Sequence, residues 1–288
     1  MILTIFTPTY NRRDKLSRVY DSLKYQDGDI FEWLIVDDGS VDDTENLINS
    51  FREENKIPIK YVKQDNGGKH VAYNTALKYA EGSFFFCVDS DDWIKEGFIH
   101  KFVEEFSNLD CHGFIAYKMD ASGKLLSEIF PEELKESSLF ELSDIYRCNG
   151  EFSVIIKTNI AKDYKFPLFE NEKFIGESVL YDKISEKYKF KLIDQVATVC
   201  EYQEDGLTVN YNLLMKQNPN GFCLYYMQRI DLSHSYIKKI CLAGKYHCFK
   251  RLSKNKNLQY LGKNKILIWI TQPLGNLFWI YYKLIRGF

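Results

Sequence analysis

Four short apolar runs near the N-terminus each stop at a polar or glycine-bearing turn, and a helix-spaced pattern fills every gap between them. Leu3 to Thr7 ends at Pro8, and Trp33 to Val36 ends at Asp37-Asp38-Gly39-Ser40. Ile59 to Val62 is followed by Asn66-Gly67-Gly68, and the nearly all-apolar Ser83 to Val88 runs into Asp89-Ser90-Asp91-Asp92. Between them Leu16, Val19, Tyr20 and Leu23 recur at helical spacing; Leu47, Ile48 and Phe51 form a second stripe, and Ala72, Ala76 and Ala80 a third beside Leu77. Asp42 reads as the start of the second helix, with Glu45 three residues on in capping-box position. The order βαβαβαβ predicts an open, doubly wound α/β sheet, mostly parallel, with 83–88 in its middle. Such sheets bind ligands at the carboxyl ends of their strands. The polar turns fall there, and four unrelated strand ends meeting on one edge argue more strongly than any single motif.

The pattern is less regular past Trp93. His112 to Lys118, Phe152 to Lys157 and Lys191 to Tyr202 read as strands, Glu177 to Tyr188 as a helix, and a helix is expected near Lys95. From Leu207 the chain reads as largely helical, with a soft boundary near residues 205–220, where Asn218-Pro219-Asn220-Gly221 marks a turn. The expected division is 1–215, split into halves 1–115 and 116–215, followed by a helical extension over 216–288.

Composition narrows the class. In 288 residues, 45% apolar and 27% charged, disorder, collagen and coiled coil are ruled out. All 40 acidic residues lie at or before Asp231, together with 27 of the 38 Lys and Arg; the other 11 basic residues follow it unopposed. An acidic body with a cationic, aromatic tail points to an anionic surface met by the C-terminus, and no nucleic-acid partner is expected. Seven scattered cysteines without a CxxC suit reduced thiols; Cys241, His247 and Cys248 make only a partial zinc pattern. The N-terminus enters a strand at once, so no signal peptide is expected.

The strand ends carry the chemistry. Carboxylates crowded on the turn 89–92 repel one another unless a cation sits among them, and a hard divalent ion is the natural guest. A lone Asp-x-Asp is more often a solvated turn; the apolar strand before it and the three other ends reverse that preference. Asp37-Asp38 could accept from a base N–H or a ribose hydroxyl, or simply form an Asp-Gly-Ser turn. Tyr10 offers an aromatic face for stacking. Gly67-Gly68 lets the backbone approach a ligand, and Lys69 could meet phosphate as a point charge.

The stretches TPTYNR at 7–12, IVDDGS at 35–40, NGGKHVAYNTAL at 66–77 and DSDDW at 89–93, in this order, resemble the inverting glycosyltransferases of family 2, which have the GT-A fold. The resemblance is strong over about residues 1–115 and weaker to about 210. It implies that Pro8, Thr9 and Tyr10 line the base site, that Asp38 binds the base with Asp37 in support, and that Gly68, Lys69 and Ser90 complete the nucleotide-sugar site. It further implies that Asp89, Asp91 and Asp92 hold Mn2+ or Mg2+, with Asp91 the direct ligand. The donor is expected to be a UDP-sugar and the acceptor a glycan or lipid-linked glycan of bacterial-type surface polysaccharide synthesis.

The family's base is usually an acidic pair opening a helix. Here that pair is reduced to Glu177-Ser178. Glu177 is the expected base and Glu172 the reserve, and Glu204-Asp205-Gly206-Leu207 is expected to form a loop over the acceptor side. Two other readings stay open: a Mg-dependent phosphoryl-transfer domain, and a catalytically silent nucleotide- or carbohydrate-binding module. In the tail, Lys238 to Lys265 precedes an apolar stretch from Ile266 to Tyr282 that is interrupted at Thr271–Asn276. A pair of short helices hinged at Pro273–Gly275 is expected to lie in a membrane interface, with Trp269, Phe278, Trp279, Tyr281 and Tyr282 at headgroup depth. The expected location is the cytoplasmic face of the cell membrane.

Overall fold

The computed structural model describes residues 1–201, 211–253 and 255–285. The chain forms two compact units, Met1–Lys165 with Tyr188–Gln203, and Phe166–Lys187 with Glu204–Phe288. This division is not a single cut near residue 215: the segment around Glu177 belongs with the C-terminal helices, and the strand after it returns to the first unit.

The first unit opens as the spacing predicts. Strands β1 (Leu3–Thr9), β2 (Phe31–Asp37), β3 (Ile59–Lys63) and β4 (Phe84–Cys87) alternate with α1 (Arg13–Leu23), α2 (Thr44–Glu54) and α3 (Lys69–Tyr79). The chain continues through β5 (Asp92–Ile94), α4 (Phe98–Lys101) with a π-helical turn at Phe102–Phe106, β6 (Gly113–Asp120), β7 (Glu136–Ser137), α5 (Leu139–Asp144), β8 (Phe152–Lys157), α6 (Thr158–Asp163) and β9 (Phe190–Cys200). The sheet order is β3-β2-β1-β4-β8-β6-β9-β5, with β7 paired to β9. The four N-terminal strands are parallel to their neighbours in that order, whereas β8 runs antiparallel to both β4 and β6. Every residue of β1 and β2 is buried, as continuous apolar runs in a sheet covered on both faces should be.

Aromatic packing accounts for much of the high aromatic content. Tyr20 of α1 stacks on Phe51 of α2 at 4.0 Å between ring centroids and on Trp33 of β2 at 6.1 Å, tying two helices to one sheet face. Phe102 meets Phe84 and Phe114 edge to face at 5.5 and 5.4 Å. Such contacts add about 0.5–1.5 kcal/mol each beyond their burial.

Two local expectations change. The helix expected near Lys95 begins only at Phe98, because residues 92–94 pair with β9 and the Lys95 amide donates to the Ala197 carbonyl at 2.9 Å. The capping box expected at Asp42 and Glu45 does not form. Asp42 instead accepts from the Thr44 amide and hydroxyl and from the Arg13 amide, while Glu45 pairs with Lys63. A capping box does form at Ser138 and Glu141, opening α5.

The second unit is helical: α7 (Ser178–Ser185), α8 (Tyr211–Gln217), α9 (Pro219–Leu232), α10 (Tyr236–Ser253), α11 (Lys265–Ile270) and α12 (Gln272–Ile285). The expected loop over 204–207 lies outside the described residues. Phe222, Tyr226, Ile230, Phe249 and Tyr282 form its core, with Phe278 and Trp279 packed against it. Three aromatic residues expected at a membrane interface, Phe278, Trp279 and Tyr282, therefore face protein, because they share one side of α12; Trp269 and Tyr281 are exposed. The break expected at Pro273–Gly275 falls at Thr271, since Pro273 sits in the first turn of α12, where its missing N–H costs nothing. Among the described residues no helix is long and apolar enough to cross a membrane, and no cluster of three or more His, Cys, Asp or Glu is grouped to hold a metal. His247 bonds the Ile268 carbonyl through Nε2, and all seven cysteines are free.

One ion pair fastens α7 to α9. The fully buried Asp182 carboxylate accepts from Arg229 Nε at 2.7 Å and its NH2 nitrogen at 3.3 Å. Burial pushes the Asp182 carboxyl up, and the Arg229 charge opposes that rise. Removing one partner of a buried pair costs about 3–5 kcal/mol, whereas replacing both with apolar groups is often near neutral. Arg229→Leu should thus lower the urea midpoint sharply, and Asp182→Leu with Arg229→Leu should recover most of the loss.

Candidate active site

The four carboxyl ends meet through identified bonds. The Asp38 amide donates to the Thr9 carbonyl at 2.8 Å, the Gln64 amide to Asp37 at 2.9 Å and the Val88 amide to Phe6 at 2.8 Å. Asn11, at a φ of 50°, receives a bond from the Val41 amide on its Oδ1 and donates its own amide to Ser40 Oγ. The loop after β1 is thereby laced to the loop after β2.

Asp37 and Asp38 do different work. Asp37 is fully buried; its Oδ1 accepts from the Ser40 amide and its Oδ2 from the Tyr61 hydroxyl, each at 2.7 Å. Burial and this bond push the Tyr61 phenol well above its usual range. Asp38 holds the glycine turn. Its Oδ1 accepts from Gln64 Nε2 at 2.7 Å and the Gly67 amide at 2.9 Å, and its Oδ2 from the Gly68 amide at 2.7 Å and Asn66 Nδ2 at 3.1 Å. Four donors saturate a carboxylate. Gly68, at a φ of 96°, then turns the chain into α3 through a conformation that a side chain would strain.

Pro8 and Thr9 are buried at the end of β1, and Tyr10 beyond them is 47% exposed. Two buried polar atoms at this edge, Thr9 Oγ1 and Gln64 Oε1, have no hydrogen-bond partner among the described residues. An orphaned polar group of this kind costs about 1–3 kcal/mol until a partner arrives.

Each carboxylate of the acidic turn faces a cation from elsewhere in the unit. Lys69, opening α3, reaches Asp89 at 2.5 Å; Arg12 lies 3.8 Å from Asp91; Lys118 of β6 reaches Asp92 at 3.0 Å. Burial disfavours the charge on Asp89, but Lys69 and Lys118 together hold its carboxyl below the usual range. Asp91 goes the other way: burial and then the Asp89 charge push it up, against a weaker pull from Arg12 and Lys69. Burial also pushes Asp92 up, despite Lys118. Ser90 is buried between them.

The structure thus gathers Pro8, Thr9, Tyr10, Asp37, Asp38, Gly68, Lys69 and the acidic turn at one sheet edge. Sequence reasoning missed Arg12, Gln64 and Lys118 as charged or polar neighbours. Arg12 lies inside the quoted stretch 7–12 and Gln64 two residues before the stretch 66–77, so both were within reach; Lys118 lies on β6 with no motif around it.

The two candidate bases lie in the second unit and differ in their surroundings. Glu172 is buried, and its two oxygens accept from the Asn220 and Gly221 amides at 2.7 and 2.9 Å, in the first turn of α9. Burial nonetheless raises its carboxyl, with those amides pulling the other way. Glu172 is therefore a helix cap, in a loop further held by Asn218 Oδ1 accepting from the Lys173 and Phe174 amides. Glu177 is half-buried at the N-terminal boundary of α7, where its backbone carbonyl accepts from Leu180 and Tyr181.

The family model described as Glycosyl transferase family 2 matches residues 4–159. The chain belongs to this family. Among its relatives is the GalNAc(5)-diNAcBac-PP-undecaprenol beta-1,3-glucosyltransferase of Campylobacter jejuni, 24% identical over 72% of this chain and 67% of the relative. Another is the glycosyltransferase GlyA of Streptococcus pneumoniae, 28% identical over 60% of the chain but only 25% of GlyA. The poly(ribitol-phosphate) beta-N-acetylglucosaminyltransferase TarS of Staphylococcus aureus is 35% identical over 33% of the chain and 17% of TarS. The chain therefore spans about two thirds of the first relative and a quarter or less of the other two. Solved structures share the fold: TarS 1-349 in complex with UDP-GlcNAc superposes with a TM-score of 0.64 at 17% identity, covering 98% of this chain and 92% of that one. This family 2 member is thus a glycosyltransferase domain of the GT-A fold with a helical C-terminal region.

The saturated Asp38 carboxylate gives a direct test. Asn offers one acceptor oxygen in place of two, so Asp38→Asn should leave the Gly67 or Gly68 amide unpartnered. At about 1–3 kcal/mol for that loss, amide hydrogen exchange at the glycine left unpartnered should speed up by about 5- to 150-fold, while amides in β1 keep their protection.

Proposed function

We propose that the protein is a metal-dependent inverting glycosyltransferase that moves a sugar from a UDP-sugar to a hydroxyl of a glycan or lipid-linked glycan, in surface polysaccharide synthesis. The observation that carries the reading is the convergence of Tyr10, Asp38, the glycine turn and the acidic turn on one edge of a family 2 sheet. The S. aureus TarS structures with UDP and UDP-GlcNAc support the choice of UDP. The undecaprenol in the name of the C. jejuni relative supports a lipid-linked acceptor.

In this reading Tyr10 stacks on the base, and Thr9 Oγ1 and Gln64 Oε1 find in the nucleoside the partners they lack. Asp38 acts by holding Gly67-Gly68 in place. The acidic turn fits a hard cation by its donor set: carboxylate oxygens on one turn, with Asp91 raised by burial and by Asp89, a penalty that a cation removes. Asp91, with Asp89 beside it, would hold Mn2+ or Mg2+; crystal structures of a Pyrobaculum calidifontis mannosyltransferase and a Mycobacterium tuberculosis glucosyl-3-phosphoglycerate synthase were determined with Mn2+. Such an ion supplies positive charge for a departing diphosphate. Asp92, expected as a further ligand, is engaged by Lys118 and positions the turn. Lys69 and Arg12 bring cationic groups to the same edge. Glu177 takes the acceptor proton as the hydroxyl oxygen bonds to C1, the C1–O bond to the diphosphate breaks and the anomeric centre inverts.

Family membership sets aside the phosphoryl-transfer reading. A silent binding module remains the second reading, favoured only by Ser178 standing where the family has an acidic residue. The protein is further proposed to work at the cytoplasmic face of an anionic membrane, supported by the absence of acidic residues after Asp231.

UDP release from a UDP-sugar in the presence of acceptor tests the catalytic reading. EDTA should abolish it and Mn2+ or Mg2+ restore it, and Asp91→Asn should lower turnover by about two or more orders of magnitude. Full activity in EDTA removes the metal from the mechanism. Glu177→Gln should reduce turnover by about 10²–10⁴-fold with UDP affinity nearly unchanged. Glu172→Gln, which weakens a helix cap, should lower the thermal midpoint and leave turnover within a few-fold; the opposite pair of results exchanges the two roles.

A further inference from the structure

Among the described residues, the outer side of the last two helices carries an exposed apolar row. Ile266, Trp269, Ile270, Leu277, Ile280 and Leu284 are each 45–79% exposed. Their spacing keeps to one face of a helix across the break at Thr271, where the Thr271 amide still bonds Leu267 and the Gly275 amide still bonds Thr271. The opposite face is already taken. A Cβ on Gly244 of α10 would lie 2.8 Å from Leu274 and Phe278, and one on Gly275 would lie 2.3 Å from His247, so α12 is seated as close to α10 as backbones allow. Tyr282 is buried on the same side. Gln272, Asn276 and Lys283 occupy a narrow polar arc between the two apolar sides. The outward row is thus a second apolar face, not the reverse of the packed one.

We propose that α11 and α12 lie flat on an anionic bilayer and push this row into the acyl layer. The inference rests on the membrane reading above and specifies the face that carries it. Charge decides the occupant. The helices bear exposed Lys265 and Lys283, with exposed Lys263 just before them, in a stretch of 57 residues with 11 basic and no acidic side chains. A second copy would bring the same charge against itself, whereas anionic headgroups answer it. The row is aliphatic, with Trp269 at its side, which suits insertion below the headgroups. Phe278, Trp279 and Tyr282 stay on the protein: Trp279 lies between Arg251 and Lys283, with 4.1 and 5.0 Å from its ring to the two cationic groups.

The test compares one charge change on two arcs of the same helix. Full-length protein is sedimented with vesicles of phosphatidylglycerol and phosphatidylcholine. Leu277→Asp with Ile280→Asp should bind at least about tenfold more weakly than Gln272→Asp with Asn276→Asp, which adds the same charge on the polar arc. In vesicles with brominated acyl chains, tryptophan quenching should be present in the wild type and lost in Trp269→Phe. Thermal midpoints within a few degrees of wild type establish that both double variants are folded. If the two double variants bind alike and salt abolishes all binding, attachment is by charge alone and the inserted row is wrong while the membrane reading stands. If the wild type fails to bind anionic vesicles at low salt, the membrane reading itself falls. A lipid-free dimer in analytical ultracentrifugation that Leu277→Asp with Ile280→Asp dissolves would make the row a self-association surface and overturn the proposal.

Discussion

Parallel strands buried on both faces can show polar chemistry only at their ends, and the first unit is organised by that constraint. β1 and β2 have no exposed position. The side chains able to meet a ligand are pushed past the last ladder bond, and the parallel register of β3-β2-β1-β4 sends all four ends to the same edge. Function at this edge follows from the need to cover a sheet completely.

Once gathered, the edge must be held in shape, and here the two aspartates at the end of β2 matter more as acceptors than as charges. Asp38 gives the turn after β3 a fixed form by accepting from four donors, two of them backbone amides of consecutive glycines. Asp37 does the same for its own loop and for Tyr61. The acidic turn after β4 is balanced in another way. Lys69, Arg12 and Lys118 come from three different elements, each matched to a different carboxylate. Like charges on one turn are tolerable because opposite charges are built around them. Asp91 has the longest of the three ion pairs, and burial pushes both its carboxyl and that of Asp92 up despite their cationic partners.

The second unit applies the same chemistry to helices. Glu172 satisfies the first-turn amides of α9, and Arg229 neutralises Asp182 between α7 and α9. Two carboxylates that look alike in sequence are thus separated: Glu172 is a structural acceptor and Glu177 opens a helix. The close seat of α12 on α10, permitted by Gly244 and Gly275, turns three aromatic residues inward and leaves an aliphatic row outside.

Much was legible in the sequence because it is local. Apolar runs of strand length, helical stripes such as Leu16, Val19, Tyr20 and Leu23, and polar turns at fixed places give the βαβαβαβ order and the edge where ligands bind. The quoted motifs name most side chains at that edge, since they adjoin the strand ends in the chain. Local propensity misplaced the capping box at Asp42 because Thr44 and Arg13 donate to the Asp42 carboxylate while Glu45 pairs with Lys63, and it started a helix too early at Lys95 because residues 92–94 pair with β9 and the Lys95 amide bonds Ala197. Nothing near Lys118 marks it as a partner of Asp92; only the position of β6 in the sheet decides that. The same holds for Glu172, whose donors lie 48 and 49 residues away. By itself the sequence determined the order of elements and the chemistry at their ends. The tertiary structure decided which carboxylate meets which cation, which Glu caps a helix and which side of the last helix stays exposed, because each depends on residues distant in the chain and adjacent only after packing.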